Sequence, residues 1–594
     1  MAKVRIGLTY LDEHLVENDY YSEEKKVVGT WFGKGAERLG IAGNDILAAD
    51  ESFERLRKNL HPGTGEKLTP RTKDLREASF VEAQKSLLEK WRYDGIKGMP
   101  SASQIEAHRL TMPPVPNRVA FYDFQCGAPK SVSVLALVAG DERLRAAHTE
   151  SVMVALGELE RFAACRGKEA FGRLKRHEFT GEICAAVFGH DTSRSLDPQL
   201  HAHCVVANAT WDKARERWAA LTEYEIVQAI RYVGKVYQNE LARRVQALGY
   251  EITPEQDAKG VVTGWQIAGV SPAICQKYSK RRMEIEAAIE QFRNIHKRKP
   301  SSAETGVITR NTRSRKMENS SPEKVRALQR EQLTADQLAG LEKIVRDATP
   351  RQSANGKEKE ALGVAVAHGF ERASVLKCHQ VLAEALNVGM GAVELAKLKM
   401  ALMRGGAETE LLAANVENPL AGELATKNGI KTEMWSVGFV NRTNGKFAPL
   451  AADADVRLQG EQGEAVRFVC RSTNQVVAVR GVAGTGKTTM LKEFSRQLAA
   501  QGREMVYLAP TASAAQVLKK EGFEGATTVA DYLTQAARRP WTNAVVVVDE
   551  AGLQSNNEGA AVLRHAQKER QRIVFVGDSR QHVAVEAGDF LRVL

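Results

Sequence analysis

The sequence lacks several features that would assign it to a particular class of protein. It contains no run of about 18 apolar residues, so no transmembrane helix is predicted. Residues 1–10 lack the apolar core of a secretory signal peptide. The seven cysteines include no Cys-x-x-Cys pair, which favours reduced thiols over a disulfide framework. Together these absences predict a cytoplasmic protein that does not insert into a membrane.

The composition is that of an ordinary globular protein with a surplus of basic residues. Hydrophobic residues make up 43% and charged residues 26% of the chain, whose 594 residues should hold several domains, each with its own core. The formal net charge is +11. A positive charge of this size suits a polyanionic partner such as DNA, although many basic proteins bind no nucleic acid.

Three histidines mark the most informative segment of the chain. His190 follows an apolar, β-prone run, His201 and His203 begin another, and Asp197-Pro198 between them indicates a turn. Two adjacent antiparallel strands are the simplest arrangement, and residues two apart on a strand project from the same face. Three converging imidazoles suit a divalent metal with open positions for a substrate. The alternative interpretation is three ordinary sheet histidines.

A second site is indicated by a strand, a glycine-rich loop and a helix that begin near residue 476. The segment fits the P-loop pattern, in which backbone amides surround the phosphates, a lysine pairs with the terminal phosphate and a hydroxyl binds Mg²⁺. The helix N-terminus adds a favourable dipole. We therefore predict ATP binding with Mg²⁺. The predicted nucleotide-binding residues of this loop are Gly481, Gly484, Gly486, Lys487, Thr488 and Thr489.

Two acidic residues complete the predicted nucleotide site. Asp549 and Glu550 follow four valines, and such a run predicts a strand buried in a parallel sheet. We expect Asp549 to hold the magnesium and Glu550 to position or deprotonate the attacking water. The two motifs together predict a P-loop ATPase lobe.

The segment from His190 to His203 has the pattern His-x-Thr-Ser-Arg-x-x-Asp-Pro-Gln-Leu-His-x-His. It resembles the histidine triad of the HUH endonucleases, in particular the MobF-type conjugative relaxases, which are TrwC/TraI-like relaxase–helicases. Further similarity covers essentially the whole chain. The resemblance implies that the three histidines bind Mg²⁺ or Mn²⁺, with Zn²⁺ as an alternative, and that the first domain is an α/β relaxase domain built on an antiparallel sheet.

The resemblance also implies catalytic tyrosines near the N-terminus. Tyr10, Tyr20 and Tyr21 are the candidates. A phenol can attack a phosphodiester once a neighbouring group favours the phenolate, but a tyrosine pair considered alone more often serves in packing. The order along the chain favours Tyr10 as the primary nucleophile, whereas the intact doublet favours Tyr20 and Tyr21. Both alternatives stay open.

In the same family an aspartate lies beside the metal, and Asp123 matches it. It would orient a ligand histidine or receive the tyrosine proton; the alternative is a carboxylate that caps a loop. Lys130 is expected to open an amphipathic helix that runs to about Ala164 and to offer a seat for phosphate. A basic tract with Lys280, Arg281 and Arg282 would neutralise the DNA backbone, although runs of charge are often only solvated surface. These residues complete the predicted DNA-binding set.

The C-terminal part resembles the first RecA-like lobe of RecD-like helicases. Gln462 matches the glutamine that reads adenine, and Gln581 lies in the motif that senses the terminal phosphate. No second lobe follows in this sequence, so we expect an incomplete helicase that binds ATP without unwinding DNA. The region before this lobe is expected to be helix-rich, with a strand at 434–440.

The predicted architecture is a multidomain α/β protein with three parts. A relaxase domain is expected at 1–300, a helix-rich connector at 301–445 and a RecD-like P-loop lobe at 446–594. The predicted function is metal-dependent nicking of single-stranded DNA at a transfer origin, with a 5′-phosphotyrosine link. Relaxosome accessory proteins and a type IV coupling protein are further expected partners. The alternatives are a DNA-dependent ATPase or helicase fragment and a catalytically degenerate origin-binding protein.

Overall fold

A computed structural model of the protein provides the fold. The residues that it describes are 2–6, 29–46, 51–70, 75–93, 100–113, 115–116, 119–167, 177–193, 195–258, 260–312, 322–352, 356–404, 410–414, 417–481, 485–536, 538–578, 588 and 590–594. The chain forms two compact units. The first unit comprises Met1–Ala361, Leu382–Lys399 and Glu417–Ala421. The second comprises Leu362–Val381, Met400–Val416 and Gly422–Leu594.

The first unit is organised around an antiparallel sheet. Its strand order is β1-β6-β10-β9-β2-β3, and every neighbouring pair runs antiparallel, as predicted. The remaining strands of this unit form separate hairpins and short pairs. In chain order the strands are β1 (Ala2–Ile6), β2 (Gly29–Phe32), β3 (Asp45–Ile46), β4 (Leu75–Arg76), β5 (Val115–Pro116), β6 (Phe121–Gly127), β7 (Ala164–Arg166), β8 (His177–Phe179), β9 (Ala185–Thr192), β10 (Pro198–Ala207), β11 (Thr210–Asp212), β12 (Arg217–Ala219), β13 (Ile252–Gln256) and β14 (Val262–Ile267).

Helices surround this sheet within the first unit. In chain order they are α1 (Lys34–Arg38), α2 (Glu51–Arg57), α3 (Phe80–Tyr93), α4 (Ala102–Thr111), α5 (Lys130–Leu137), α6 (Glu142–Glu160), α7 (Glu223–Ala247), α8 (Pro272–Lys277), α9 (Lys280–His296), α10 (Ser302–Asn311), α11 (Pro322–Glu331) and α12 (Ala335–Asp347). Helices α5 and α6 pack against β10, and α7 packs against α6. The sheet therefore has a helical layer that supports the strand carrying two of the predicted metal ligands.

One face of the sheet carries an aromatic core. Phe121 on β6 is fully buried, and its ring stacks on that of Phe53 with 5.1 Å between the ring centres. Val205 on β10 belongs to the same core. Because side chains alternate along a strand, the residues two and four positions before Val205 project from this face as well. The aromatic core therefore lies beside His203 and His201.

The helix predicted from Lys130 to Ala164 is wrong in extent. The structure has two helices, α5 and α6, with a break between them. Gly140 adopts a left-handed φ of +83° there, and Asp141 caps the second helix by accepting a hydrogen bond from the Arg143 amide over 3.0 Å. Glycine favours the end of a helix, and aspartate favours the position just before the next one begins. The pair Gly140-Asp141 therefore explains the break. Ala164 itself begins strand β7.

The second unit contains a parallel sheet of five strands in the order β18-β22-β21-β19-β20, as predicted for a P-loop lobe. Strand β21 consists of four buried valines, which suits a strand covered on both faces. A smaller antiparallel sheet has the order β15-β17-β16. The strands are β15 (Val375–Lys377), β16 (Leu411–Ala413), β17 (Glu423–Thr426), β18 (Val476–Arg480), β19 (Met505–Ala509), β20 (Thr527–Thr528), β21 (Val545–Val548) and β22 (Arg572–Gly577).

The remaining helices follow residue 357. In chain order they are α13 (Glu358–Phe370), α14 (Cys378–Val388), α15 (Leu395–Arg404), α16 (Lys427–Thr443), α17 (Gly460–Arg471), α18 (Lys487–Ala500), α19 (Ala512–Lys520), α20 (Val529–Gln535), α21 (Asn556–Glu569) and α22 (Phe590–Val593). The prediction of a strand at 434–440 is wrong, because this run lies inside α16. Trp435 and Phe439 are one helical turn apart and stack with 5.5 Å between their ring centres. A short apolar run does not distinguish a strand from a buried helix.

Among the residues that the structure describes, no helix is long and apolar enough to cross a lipid bilayer.

Replacing Phe121 by alanine should destabilise the first unit, because it removes a fully buried ring from the core beside the histidines. We expect the free energy of unfolding of this unit to fall by about 3–5 kcal/mol. Phe80, which is 42% exposed on α3, provides the matched control, and Phe80→Ala should cost a small fraction of that. Hydrogen exchange of the sheet amides measures both changes without assuming two-state unfolding. Equal losses in the two variants would contradict the assignment of this core.

Candidate metal centre and nucleotide site

The three histidines lie together on adjacent strands. His190 on β9 and His201 on β10 are directly opposed in the antiparallel register. The ring centres of the three imidazoles are 5.1–5.3 Å apart in all pairs. His190 and His201 are buried, and His203 is partly exposed. The predicted convergence is therefore present in the fold, with one side of the cluster open to an incoming group.

A β-bulge lies beside the cluster. Pro198 pairs with Thr192 and His201 pairs with His190, so two residues of β10 face a single residue of β9. Bulges bend a strand and re-aim the side chains that follow. The bulge also lets the Gln199 carbonyl accept a hydrogen bond from Nδ1 of His201 over 2.9 Å. The Nε2 nitrogen of His201 therefore carries the lone pair that a metal would use.

Asp123 makes the predicted contact with a histidine. Its Oδ2 lies 2.7 Å from Nδ1 of His203, and the carboxylate is buried. A carboxylate in this position fixes the ring orientation and makes the other ring nitrogen a better ligand. Gln125, two residues farther along β6 and opposite His203, was not predicted, and its amide nitrogen is 3.2 Å from Nδ1 of His203. Strand alternation from Asp123 was the signal that could have identified it.

Burial keeps two of the rings neutral. Burial lowers the pKa of His190 well below its ordinary value, and the neighbouring His201 and His203 lower it further. Burial likewise lowers the pKa of His201 to about 4. Neutral imidazole is the form that binds a metal, whereas an imidazolium repels it. The donor set and its protonation state therefore fit a divalent cation.

A second group of metal-binding residue types has a different character. Ligand atoms of Cys165, Glu178 and Asp212 lie within 4.8 Å of one another. Arg215 forms ion pairs with both carboxylates, which neutralises them. Burial raises the pKa of the Cys165 thiol to about 11, so the thiolate is scarce at neutral pH. Because Arg215 already pairs with both carboxylates, this cluster is a poorer candidate metal site than the three histidines.

All four predicted DNA-binding residues have partners within the protein. The Lys130 ammonium donates to the Pro198 carbonyl over 2.9 Å, and burial lowers its pKa. Lys280 Nζ lies 3.4 Å from Asp197 Oδ1. Arg281 donates to backbone carbonyls at the end of α10, and Arg282 pairs with Glu286 on the exposed side of α9. Arg282 is therefore the most exposed of the four, with 77% of its side chain accessible.

The nucleotide site has the predicted strand–loop–helix form. Gly481 follows β18, and Gly486 precedes α18 with a left-handed φ of +77°. The Gln462 amide donates to the Thr485 carbonyl over 2.7 Å. The left-handed φ of residue 486 favours glycine, and a Cβ atom there would also lie 2.3 Å from the nitrogen of that amide, so the Gln462 side chain would have to move. Thr488 and Thr489 lie in the first turn of α18.

The acidic pair adjoins this loop. Lys487 Nζ lies 3.0 Å from Glu550 Oε1. The terminal phosphate of a bound nucleotide would compete with this carboxylate for the lysine ammonium. Asp549 Oδ1 is buried without a hydrogen-bond partner, and burial raises the pKa of this carboxyl group. A buried, unsatisfied carboxylate oxygen suits a cation such as Mg²⁺.

Five predicted site residues lie outside the part of the chain that the structure describes. They are Tyr10, Tyr20, Tyr21, Gly484 and Gln581.

The TrwC relaxase family matches residues 5–335, which is more than half of the 594 residues. The chain belongs to the TrwC relaxase family. An AAA domain matches residues 457–594. The resemblance to conjugative relaxases and the prediction of a P-loop lobe are thereby confirmed.

Curated relatives of this TrwC-family chain are conjugation proteins. A multifunctional conjugation protein TraI from Escherichia coli is 35% identical over 193 residues, which cover 31% of this chain and 10% of that protein. A probable conjugal transfer protein TraA from Sinorhizobium fredii is 32% identical over 141 residues, which cover 23% of this chain and 13% of that protein. The matched regions thus span about a tenth of these relatives.

Solved structures of TrwC are also similar to this TrwC-family chain. A metal-free complex of TrwC with OriT DNA is 26% identical, covers 56% of this chain and 96% of that one, and has a TM-score of 0.41. A metal-bound complex is 25% identical, covers 58% of this chain and 98% of that one, and has the same TM-score of 0.41.

Asp123→Asn should weaken divalent metal binding at the three histidines. The amide no longer favours the His203 tautomer that frees Nε2, and loss of such a partner lowers metal affinity by about 10–100-fold. Titration of the full chain with Mn²⁺, followed by electron paramagnetic resonance, measures the affinity. Asp45→Asn, the same change at an exposed carboxylate on β3, is the control. A wild-type affinity in the Asp123 variant would contradict the orienting role.

Proposed function

We propose that this chain nicks single-stranded DNA at a transfer origin by transesterification. His190, His201 and His203 would hold a divalent cation, Mg²⁺ or Mn²⁺ with Zn²⁺ as the alternative, against the scissile phosphate. When bound, the cation polarises that phosphate and stabilises the charge on the attacked centre. The observation that carries the proposal is the set of three mutually adjacent imidazoles, two of them buried and neutral, with Asp123 beside the third.

The bond changes assign roles to the chain's residues. A tyrosine hydroxyl, from Tyr10, Tyr20 or Tyr21, loses its proton as its oxygen forms a new ester bond to the phosphorus. The bond from phosphorus to the 3′-oxygen breaks, and that oxygen takes a proton. One phosphodiester replaces another, so the step is reversible and needs no ATP. Asp123 keeps His203 oriented throughout, and a second tyrosine would permit a second strand transfer when the transferred strand is closed.

Membership of the TrwC relaxase family supports this proposal, as do the conjugation proteins among the relatives. The net charge of +11 suits a DNA partner. We propose Lys130, Lys280, Arg281 and Arg282 as the residues nearest the DNA path. Arg282 is proposed to contact phosphate directly, because 77% of its side chain is accessible although it pairs with Glu286, whereas the side chains of Lys280 and Arg281 are less exposed and Lys130 donates to the Pro198 carbonyl. Relaxosome accessory proteins, a type IV coupling protein and a cytoplasmic location belong to the same proposal.

The C-terminal lobe is proposed to bind ATP with Mg²⁺. Lys487 would exchange Glu550 for the terminal phosphate, Asp549 would hold the magnesium and Thr488 would complete its coordination. Gln462, already fixed to the loop through Thr485, would read the adenine. The other proposed contacts are Gly481, Gly484, Gly486, Thr489 and Gln581. We propose the domain limits 1–300, 301–445 and 446–594 for these functions.

The full chain, incubated with a labelled single-stranded oligonucleotide from its own transfer origin and Mn²⁺, should form a covalent protein–DNA adduct that EDTA prevents. His201→Ala should abolish the adduct and retain ATP binding, because it removes a metal ligand from only one of the two sites. Lys487→Ala should retain the adduct and abolish ATP binding. Gel electrophoresis under denaturing conditions and binding of a fluorescent ATP analogue measure the two outcomes.

The same assay separates the alternatives. ATP binding without an adduct, on an oligonucleotide already single-stranded at the nick site, would favour an ATPase fragment. Specific oligonucleotide binding without cleavage would favour an origin-binding protein. Phenylalanine variants of Tyr10, Tyr20 and Tyr21 identify the nucleophile, since only loss of the attacking oxygen should remove the first adduct.

A further inference from the structure

Three side chains from outside the sheet hold the turn between the histidine strands. This turn, residues 195–197 followed by Pro198, connects β9 to β10 and so links His190 to His201. Gln329 on α11, Lys280 at the start of α9 and Lys130 at the start of α5 each contact it through their side chains. We name these three residues the turn clamp.

Gln329 contacts the most unusual residue of the turn. Leu196 has a left-handed φ of +59°, a conformation that a bulky side chain rarely adopts. The Gln329 amide donates to the Leu196 carbonyl over 2.8 Å, and Gln329 is almost completely buried. Tyr278, also buried, donates to the backbone carbonyl of Gln329. A strained backbone persists where surrounding contacts over-determine it, and these contacts do so.

The two lysines hold the next two residues. The Asp197 carboxylate is buried, accepts a hydrogen bond from the Lys280 amide over 3.0 Å and lies 3.4 Å from the Lys280 ammonium. It thereby occupies the N-terminus of α9, where a negative charge is favoured. Lys130 donates to the Pro198 carbonyl, which is the last residue before the bulge. The clamp thus fixes three consecutive residues, 196–198, which end three positions before His201.

We propose that the turn clamp positions His201 against His190 for metal binding and catalysis. The bulge between Pro198 and His201 determines the direction of the His201 ring, and a bulge can relax if its leading end is not fixed. Lys280 and Lys130 then act through the turn as well as lying near the DNA path. Gln329 lies near the C-terminal limit of residues 5–335, the segment that matches the TrwC relaxase family. The proposal rests on the nicking function proposed above.

Gln329→Leu in the full chain tests this role, because it removes the donor and keeps the volume. We expect Mn²⁺ affinity at the histidines to fall about tenfold and kcat for nicking to fall similarly, while KM for the oligonucleotide stays within about twofold. The histidine-site affinity is the part of Mn²⁺ binding that His201→Ala removes. Gln332→Leu, the same change just beyond the end of α11, is the matched control and should leave all three quantities unchanged.

Lys280 provides a second variant with a conservative rescue. Lys280→Met should increase hydrogen exchange of the amides of residues 196, 197, 199 and 200 and weaken Mn²⁺ binding. Lys280→Arg should return both to the wild-type level by keeping the charge beside Asp197. A folded Gln329→Leu protein with wild-type Mn²⁺ affinity and kcat would overturn the proposal. So would a lowered Tm with unchanged Mn²⁺ affinity, because the clamp would then be only structural. If the wild-type chain binds Mn²⁺ but forms no adduct, the proposed nicking function is wrong. The Mn²⁺ affinities of the wild type and the Gln329→Leu variant then still test whether the turn clamp positions His201.

Discussion

The antiparallel pairing of β9 with β10 is the interaction on which the first site depends. This register places His190 directly opposite His201, and the period of the strand brings His203 to the same face. A slip of one residue would move two of the rings to the opposite face, where helices pack. The aromatic core around Phe121 and Val205 holds the register, because that core would also be exposed by a slip. The metal site and the hydrophobic core are therefore determined by the same alignment.

Burial serves chemistry as well as stability at both candidate sites. At the histidines it disfavours the imidazolium and so prepares neutral ligands. At Asp549 it leaves a carboxylate oxygen without a hydrogen bond, a cost that a bound cation offsets. In both cases burial of polar groups costs folding free energy, and a bound cation would offset that cost. The buried carboxylate of Asp123 is similar: one oxygen lies 2.7 Å from Nδ1 of His203, and the other is buried without a hydrogen-bond partner.

The two units use different sheet geometry to build their sites. In the first, ligands project from the face of an antiparallel sheet and are stabilised by neighbouring strands. In the second, the loop and the acidic pair follow the carboxyl ends of parallel strands β18 and β21, where helix N-termini and free amides are available to phosphate. The candidate metal centre and the candidate nucleotide site thus draw on separate structural principles within one chain.

Local sequence patterns were sufficient for the parts of this protein that depend on periodicity. The alternation of His201 and His203, the glycine-rich loop before Lys487 and the four valines before Asp549 each predicted their elements, because strand period and turn chemistry act over a few residues. The same patterns misjudged the helix after Lys130, which ends before Asp141. They also predicted a strand for the apolar run around Trp435, which forms part of helix α16.

Only the tertiary structure decided which distant residues support the site. The bulge ahead of His201, the amide of Gln125 beside His203 and the contacts of Lys280 and Gln329 with the turn join segments far apart in the chain. A basic residue in a charged tract looks the same in sequence whether it faces phosphate or a buried carboxylate. In the fold Lys280 lies beside Asp197. A buried carboxylate without a nearby cation is destabilising, and this cost exceeds the free energy that the lysine would gain by staying fully in solvent.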